Sequence, residues 1–150
     1  MGLKIGLIGA GFMSGVHRTN LERDDRVRIS GIYDVDPLRA GALAVASVDD
    51  LLEASDAVYV VSPNTTHVDM AMKALAAGKH VFCEKPMATT LEDAQRLHEA
   101  ARASKTVFQV GHNRRFAPVY KNVKKLLETS PAHCAHIKMN RGELLNPAWV

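Results

Sequence analysis

Two glycines near the amino terminus are the first residues whose type and spacing suggest chemistry. Gly9 and Gly11 follow a short apolar run, Leu3–Ile8, and a helical pattern begins directly after them. A buried parallel strand, a tight turn and a helix start form the order that a dinucleotide pyrophosphate requires, because the free N–H groups of the helix face its negative charge. Gly9 is expected to allow the turn, and Gly11 to let the backbone approach the phosphates. The turn alone is a weak signal, since Ser14 stands where the fingerprint has its third glycine.

An acid follows at the distance expected for a residue that binds ribose. Asp34 lies 23 residues after Gly11, at the end of a predicted second strand. Its carboxylate can accept hydrogen bonds from both hydroxyls of an adenosine ribose. It would also repel a 2′-phosphate by roughly 4 kcal/mol, for charges about 4 Å apart at an effective dielectric constant of about 20. We therefore expect NAD rather than NADP, although the Arg39 guanidinium could turn toward a phosphate. A turn-forming role for Asp34 before Pro37 is the alternative.

Polar residues follow each of the first five predicted strands, at the sheet edge where open parallel sheets bind ligands. Besides the glycine turn and Asp34, three loops contribute, and each loop alone could be ordinary turn chemistry. The loops are Ser62-Pro63-Asn64, Glu84-Lys85-Pro86 and His112-Asn113-Arg114-Arg115. Five polar stretches on one edge favour a ligand site there.

Strands alternate with helices throughout the chain, and these are the elements that must position the polar residues. The predicted strands are Leu3–Ile8, Arg26–Asp34, Ala57–Val61, His80–Cys83, Thr106–Val110 and His133–Asn140. Helices are predicted at 12–23, 37–46, 49–54, 67–77, 91–104 and 118–128, several of them after the capping residues Asp36, Ser47, Thr66 and Thr90. Short parallel strands with right-handed crossovers predict an α/β fold of the Rossmann type: a doubly wound, mainly parallel, six-stranded sheet with helices on both faces.

Composition excludes several classes of function. A chain of 150 residues suits one globular domain, and its mild net charge of +3 gives little support to a nucleic-acid partner. Cys83 and Cys134 lie in apolar strand-like runs and are expected to be buried free thiols, with a disulfide bridge between them as the less favoured alternative. His133 and His136 would point to opposite faces of a strand, so no metal site is expected. The absence of a cleavage pattern and of an apolar run of about 20 residues predicts a soluble, cytoplasmic chain without a membrane partner.

The sequence resembles the amino-terminal domain of the Gfo/Idh/MocA family, named after glucose–fructose oxidoreductase, inositol dehydrogenase and a rhizopine catabolism protein. The resemblance covers essentially the whole chain, and Glu84-Lys85-Pro86 is its most distinctive motif. The other stretches that carry it are Gly9-Ala10-Gly11-Phe12-Met13, His17, Asp34, Pro63-Asn64 with His67, Ala76-Ala77-Gly78-Lys79-His80-Val81 and Asn113-Arg114-Arg115-Phe116.

The resemblance implies a nicotinamide-dependent oxidoreductase that acts on sugars, cyclitols or related polyols and keto compounds. It implies that Lys85 is catalytic, lying beside the nicotinamide ribose and hydrogen-bonding the reacting hydroxyl, and that the Lys85–Pro86 bond is often cis. A surface lysine in an ordinary turn is the alternative for Lys85. The expected cofactor-binding residues are Gly9, Gly11, Phe12, Met13, Asp34, Ser62, Pro63, Asn64, His67, Glu84, Lys85, Asn113 and Arg114.

The family's enzymes carry a second α/β domain, with substrate contacts and the dimer interface, after the Rossmann domain. We expect residues 1–150 to be the dinucleotide-binding domain, inactive by itself, with the carboxyl-terminal domain absent from this chain. The full-length protein is expected to be a homo-oligomer with a small sugar or polyol as substrate. An NAD(H)-sensing module without catalysis remains an alternative. An S-adenosylmethionine-dependent methyltransferase is more remote, because Leu7 and Ile8 stand where those enzymes carry an acid.

Overall fold

The computed structural model describes residues 2–134 and 136. Contacts between residues divide the chain into two compact units, Met1–His112 and Asn113–Val150. The first unit contains five strands, which are β1 (Leu3–Ile8), β2 (Val27–Tyr33), β3 (Ala57–Val60), β4 (His80–Cys83) and β5 (Phe108–Val110). They form one sheet in the order β2-β1-β3-β4-β5, and every strand pair is parallel. The carboxyl ends of all five strands therefore lie on one edge.

Five helices of the first unit connect these strands. They are α1 (Phe12–Leu21), α2 (Pro37–Ala40), α3 (Val48–Ala54), α4 (His67–Ala76) and α5 (Leu91–Ala103), with short 3₁₀ turns at Gly41–Leu43 and Asn64–Thr66. In the second unit the described residues form a 3₁₀ turn, Asn113–Phe116, and α6 (Pro118–Thr129). No helix in the described part of the chain has the length and apolar character needed to cross a membrane.

Apolar side chains form two clusters, and alternation along β1 sends neighbouring residues into different ones. Ile8 packs with Leu51 of α3 and Leu97 of α5 in one cluster, whereas Leu7 packs with Leu21 of α1 in the other. Because successive side chains of a strand point to opposite faces, the two clusters cover the two faces of the sheet. Full burial of each such side chain stabilises the fold by about 1.5–3 kcal/mol. The predicted doubly wound α/β fold is therefore confirmed.

The prediction of six strands is not matched by the described residues, which contain five. The predicted sixth strand, His133–Asn140, lies for the most part outside the described residues.

Cys83 is buried in β4 as predicted, but the prediction of a buried Cys134 is wrong, because that thiol is exposed.

The helix predicted over 37–46 ends early. Helix α2 stops at Ala40, because Gly41 takes a φ of +61°, which breaks the helical path. The chain then runs through a 3₁₀ turn, and Ala44 forms an isolated parallel bridge with Ile32 of β2. Pairing with the sheet edge therefore replaces the last helical turns.

Helix caps follow the sequence at two of the three sites where a hydroxyl cap was predicted. The N–H of Asp50 donates to Ser47 Oγ at 3.1 Å, and the N–H of Asp93 donates to Thr90 Oγ1 at 3.2 Å. The predicted cap of α4 by Thr66 is wrong, because its hydroxyl donates to the carbonyl oxygen of Pro63 at 2.8 Å instead. The hydroxyl of Thr66 thus stabilises the loop after β3 rather than the helix.

Candidate functional site

The glycine turn after β1 packs directly against the loop after β3. Gly9 has a φ of +106°, and a Cβ atom there would lie 2.8 Å from the backbone N and Cα of Ser62. The N–H of Gly9 donates to the carbonyl oxygen of Tyr33 at the end of β2. Both the backbone conformation and the close approach require glycine. Gly9 therefore brings the ends of β1, β2 and β3 together.

Gly11 meets a different requirement, since no protein atom would be touched by a Cβ atom added to it. Its φ of −79° and ψ of −167° are open to any residue. Glycine at this position leaves space in front of α1 that the protein itself does not fill. That space lies where the sequence predicts the pyrophosphate.

The amino terminus of α1 is left without a side-chain cap. Gly11 provides none, and the first turn contains no acidic residue. In contrast, α3 and α5 each have a hydroxyl cap and two acids in the first turn. The N–H groups and positive dipole end of α1 are therefore open to an anion from outside the chain. Phe12 and Met13 lie in this first turn, and Ser14 is buried against the fold as expected of the third fingerprint position.

Asp34 is tied to the glycine turn. Its Oδ2 accepts a hydrogen bond of 2.7 Å from the N–H of Ala10, and its Oδ1 accepts one of 2.9 Å from the N–H of Asp36. A carboxylate oxygen accepts two hydrogen bonds, so each oxygen keeps capacity for a ribose hydroxyl. Nε of Arg39 lies 3.6 Å from Oδ2 of Asp36, the residue that caps α2. The carboxylate, the open helix end and the space at Gly11 fit a dinucleotide.

The ring of His67 contacts the backbone of the loop after β3. This ring is 1% exposed, its Nε2 lies 2.9 Å from the carbonyl oxygen of Ser62, and its Nδ1 lies 2.7 Å from that of Pro86. His67 therefore links the loops after β3 and β4, and its two nitrogens are engaged with backbone. Pro63 and Asn64 are exposed at the rim of the same loop.

The backbone of the loop after β4 is fixed by hydrogen bonds, whereas the side chain of its lysine is exposed to solvent. Glu84 is 8% exposed, and its Oε2 accepts the N–H of Lys85 at 3.0 Å while its Oε1 pairs with His17. The Lys85–Pro86 peptide bond is cis, as the resemblance implies. The Lys85 side chain is exposed, and the described residues offer its ammonium group neither an ion pair nor a hydrogen bond. The ammonium is thus available to a ligand at this edge.

The first unit brings together most of the residues that the sequence selects. The glycine turn, Asp34, Ser62, Glu84 and Lys85 all lie at the carboxyl edge of the sheet. Asn113 and Arg114 lie in the 3₁₀ turn of the second unit, and their part in a site stays a prediction. The described residues contain no cluster of potential ligands that could hold a metal ion.

Two aromatic residues of the site were missed by the sequence reasoning. Tyr59 of β3 and Phe82 of β4 are register partners, and their rings stack at 4.6 Å between centroids. Both rings also make T-shaped contacts with the His17 ring, at interplanar angles of 77° and 65°. Adjacent parallel strands with aromatic residues in matching positions are the signal that could have identified them.

Comparison with known proteins assigns the chain to a family. Residues 3–112 match the Gfo/Idh/MocA model, described as an oxidoreductase family with an NAD-binding Rossmann fold. The chain is 37% identical to glucose-6-phosphate 3-dehydrogenase of Bacillus subtilis over 131 residues, which are 83% of this chain and 37% of that protein. It is 38% identical to inositol 2-dehydrogenase 2 of Saccharopolyspora erythraea over 143 residues, which are 86% of this chain and 42% of that protein.

A solved structure gives the same assignment. The scyllo-inositol dehydrogenase of Lactobacillus casei, determined with bound NAD(H) and scyllo-inositol, superimposes with a TM-score of 0.79 at 30% identity, covering 86% of this chain and 42% of that one. The chain spans less than half the length of these relatives. The match of the family over β1 to β5 and the geometry of the glycine turn lead to one conclusion: the chain belongs to the Gfo/Idh/MocA oxidoreductase family, of which it contains the NAD-binding Rossmann domain.

Proposed function

We propose that this domain serves a dehydrogenase that uses NAD to oxidise a sugar, cyclitol or related polyol, or to reduce the corresponding keto compound. The substrate class is supported by the relatives, among which are a glucose-6-phosphate 3-dehydrogenase and several inositol 2-dehydrogenases. The cofactor is supported by the site, because Asp34 suits a free ribose and would repel a 2′-phosphate.

In this proposal the carboxyl edge of the sheet binds the dinucleotide along its length. The N–H groups at the start of α1 bind the pyrophosphate, and Gly11 leaves room for it. Asp34 accepts hydrogen bonds from the hydroxyls of the adenosine ribose. Ser62, Pro63 and Asn64 line the nicotinamide side, with Phe12 and Met13 beside the phosphates. When bound, NAD supplies the hydride acceptor, a capacity that no side chain of the chain possesses.

The proposal of catalysis rests on the position of Lys85, whose backbone is fixed while its ammonium group is exposed. Its backbone is fixed by Glu84 and by the brace of His67 on Pro86, while its exposed ammonium group has no ion-pair partner in the described part of the chain. Such a cation can donate a hydrogen bond from Nζ to the reacting oxygen of a carbinol or ketone. In the oxidation direction the neutral amine of Lys85 would accept the hydroxyl proton at Nζ as the carbonyl forms, and in the reduction direction the ammonium would return that proton to the oxygen. A module that only senses NAD(H) needs no lysine in this position.

We infer that the remaining parts of the enzyme lie outside this chain. The proposal assigns them to a second domain that completes the substrate pocket and forms a homo-oligomer, and it assigns the assembled enzyme to the cytoplasm. The length of the relatives, more than twice the matched part, supports the second domain. Asn113 and Arg114 are proposed, from the family resemblance alone, as further cofactor-binding residues.

The test uses the complete enzyme with Lys85→Met, which keeps an unbranched side chain but removes the charge. We expect kcat for oxidation of a cyclitol or sugar to fall by about 100-fold or more, whereas NAD affinity measured by calorimetry changes little. Lys105→Met, at an exposed position before β5, is the matched control and should leave both unchanged. Full turnover by the Lys85→Met enzyme would refute the catalytic role of Lys85, whereas NAD binding without turnover of any sugar or cyclitol by the wild-type enzyme would favour a sensing module.

A further inference from the structure

His17 occupies an enclosed position on the helix that begins at the pyrophosphate site. Its ring contacts Tyr59 and Phe82 edge-on, with centroids 5.3 Å and 5.2 Å away. Its Nε2 lies 3.0 Å from Oε1 of Glu84, and the two side chains are 17% and 11% exposed. Because a carboxylate only accepts hydrogen bonds, Nε2 carries the hydrogen and donates it to Glu84. Aromatic packing thus fixes the ring in the orientation that the hydrogen bond needs.

Glu84 transmits this contact to the next residue. While Oε1 accepts from His17, Oε2 accepts the backbone N–H of Lys85 at 3.0 Å. Each carboxylate oxygen therefore has a different partner, one on α1 and one in the loop after β4. A carboxylate that holds both groups at once links the two elements directly.

The space around this carboxylate is closely fitted. A Cβ atom on Gly111, directly after β5, would lie 2.9 Å from Cζ of Phe82 and 3.3 Å from Oε1 of Glu84. The glycine thus leaves the room in which His17 and Glu84 meet. Side chains from α1, β3 and β4 and the backbone after β5 together confine the pair.

We propose that His17 is a positioning residue for Lys85, acting through Glu84, and that it couples the cofactor-binding helix to the lysine. The functional meaning of the coupling rests on the proposed function of Lys85. Binding of a dinucleotide at the start of α1 reduces the motion of the helix that carries His17. Because Glu84 is hydrogen-bonded to both His17 and the Lys85 N–H, the motion of the Lys85 backbone is reduced as well. His17 itself makes no contact with substrate in this scheme.

The competing explanation is that His17 only fills space among aromatic rings, and two substitutions separate these roles. His17→Phe keeps an aromatic ring for Tyr59 and Phe82 but removes the donor to Glu84. His17→Gln loses the ring but keeps an N–H donor of similar reach. A positioning role requires that Gln restore what Phe loses, whereas a space-filling role requires the opposite.

The measurement is hydrogen exchange at the Lys85 backbone amide, followed by NMR in this 150-residue chain with and without NAD. In the His17→Phe chain we expect that amide to exchange about tenfold faster than in the wild type, with core amides such as that of Val81 unchanged. His17→Gln should recover most of the difference. NAD should slow the exchange of Lys85 in the wild type and not in His17→Phe.

Exchange at Lys85 within twofold of the wild type in a folded His17→Phe chain would overturn the proposal. If that variant does not fold, His17→Met provides the same test beside His17→Gln, because Met has a similar reach to Gln but no N–H donor for Glu84, and it should also speed exchange about tenfold. A wild-type chain that fails to bind NAD would count against the proposed function, whereas the effect of His17 on Lys85 is measured independently of the ligand.

Discussion

The Asp34 carboxylate accepts a hydrogen bond of 2.7 Å from the N–H of Ala10, so the acid after β2 is tied to the middle of the turn after β1. This contact fixes the ribose-binding group relative to the pyrophosphate-binding turn. Two functions that sequence reasoning assigned separately, to the glycines and to the acid, are thus parts of one hydrogen-bonded unit.

Asp34→Asn should lower NAD affinity and weaken discrimination against NADP. The amide keeps the size of the side chain but cannot accept through both ends, and it no longer repels a 2′-phosphate. We expect the ratio of NAD to NADP affinity to fall by about tenfold or more, measured by calorimetry.

The control for Asp34 is Asp56→Asn at the opposite edge of the sheet. Asp56 also accepts a strand N–H, that of Lys4 at 2.8 Å, so the variant tests loss of the same kind of contact away from the site. It should leave both affinities unchanged. An equal fall in both variants would show that Asp34 acts through stability rather than through the cofactor.

Gly9→Ala should be much more destabilising than Gly78→Ala. Both glycines have positive φ, +106° and +70°, and either alanine costs about 1–2 kcal/mol for the backbone conformation. Only at Gly9 would the new Cβ also overlap the backbone of Ser62. Urea unfolding should show a free-energy loss that is larger for Gly9→Ala by about 1–3 kcal/mol. Equal losses would contradict the close approach of the two loops.

Stability should fall in alkaline solution because of Cys83. Burial, and secondarily the charge of Glu84, raises the pKa of the Cys83 thiol from 9.0 to about 12. The folded state therefore keeps the proton that the unfolded state loses above pH 9, and this contribution is present below pH 9 and lost between pH 9 and 12. The free energy of unfolding, measured in urea from pH 8 to 11, should decline more steeply in the wild type than in Cys83→Ala. Identical slopes would contradict the burial of this thiol.

Local patterns predicted the parts of the fold that local physics determines. The bounds of β1 and β4, the Thr90 cap and the end of α4, at Ala76 against a predicted 77, depend on residues that are neighbours in the sequence. The early end of α2 at Gly41 also has a local signal, the positive φ that glycine allows, but the bridge that Ala44 then forms with Ile32 of β2 is not visible in the local pattern. The partner of the Thr66 hydroxyl could not be predicted either, because the carbonyl oxygen of Pro63 competes with the helix N–H groups for it.

The site also contains features that local sequence patterns predict and features that depend on contacts between distant residues. The glycine turn and Asp34 have a characteristic spacing, and the sequence predicts both. The pairing of His17 with Glu84 joins residues 67 positions apart. The enclosure of His67 between two carbonyl groups likewise depends on where distant loops meet. Sequence reasoning could select these residues by resemblance, but only the packed sheet shows that they bind each other and the backbone.

Calorimetric titration of NAD into the wild-type chain and into Gly11→Ala tests the central claim most directly. A Cβ atom at Gly11 touches no protein atom, so the variant should keep the stability of the wild type while its NAD affinity falls by about tenfold or more. Gly15→Ala, also in open space on α1, should bind NAD as the wild type does. Unchanged affinity in Gly11→Ala, or no binding of NAD by the wild type, would contradict a dinucleotide site at this turn.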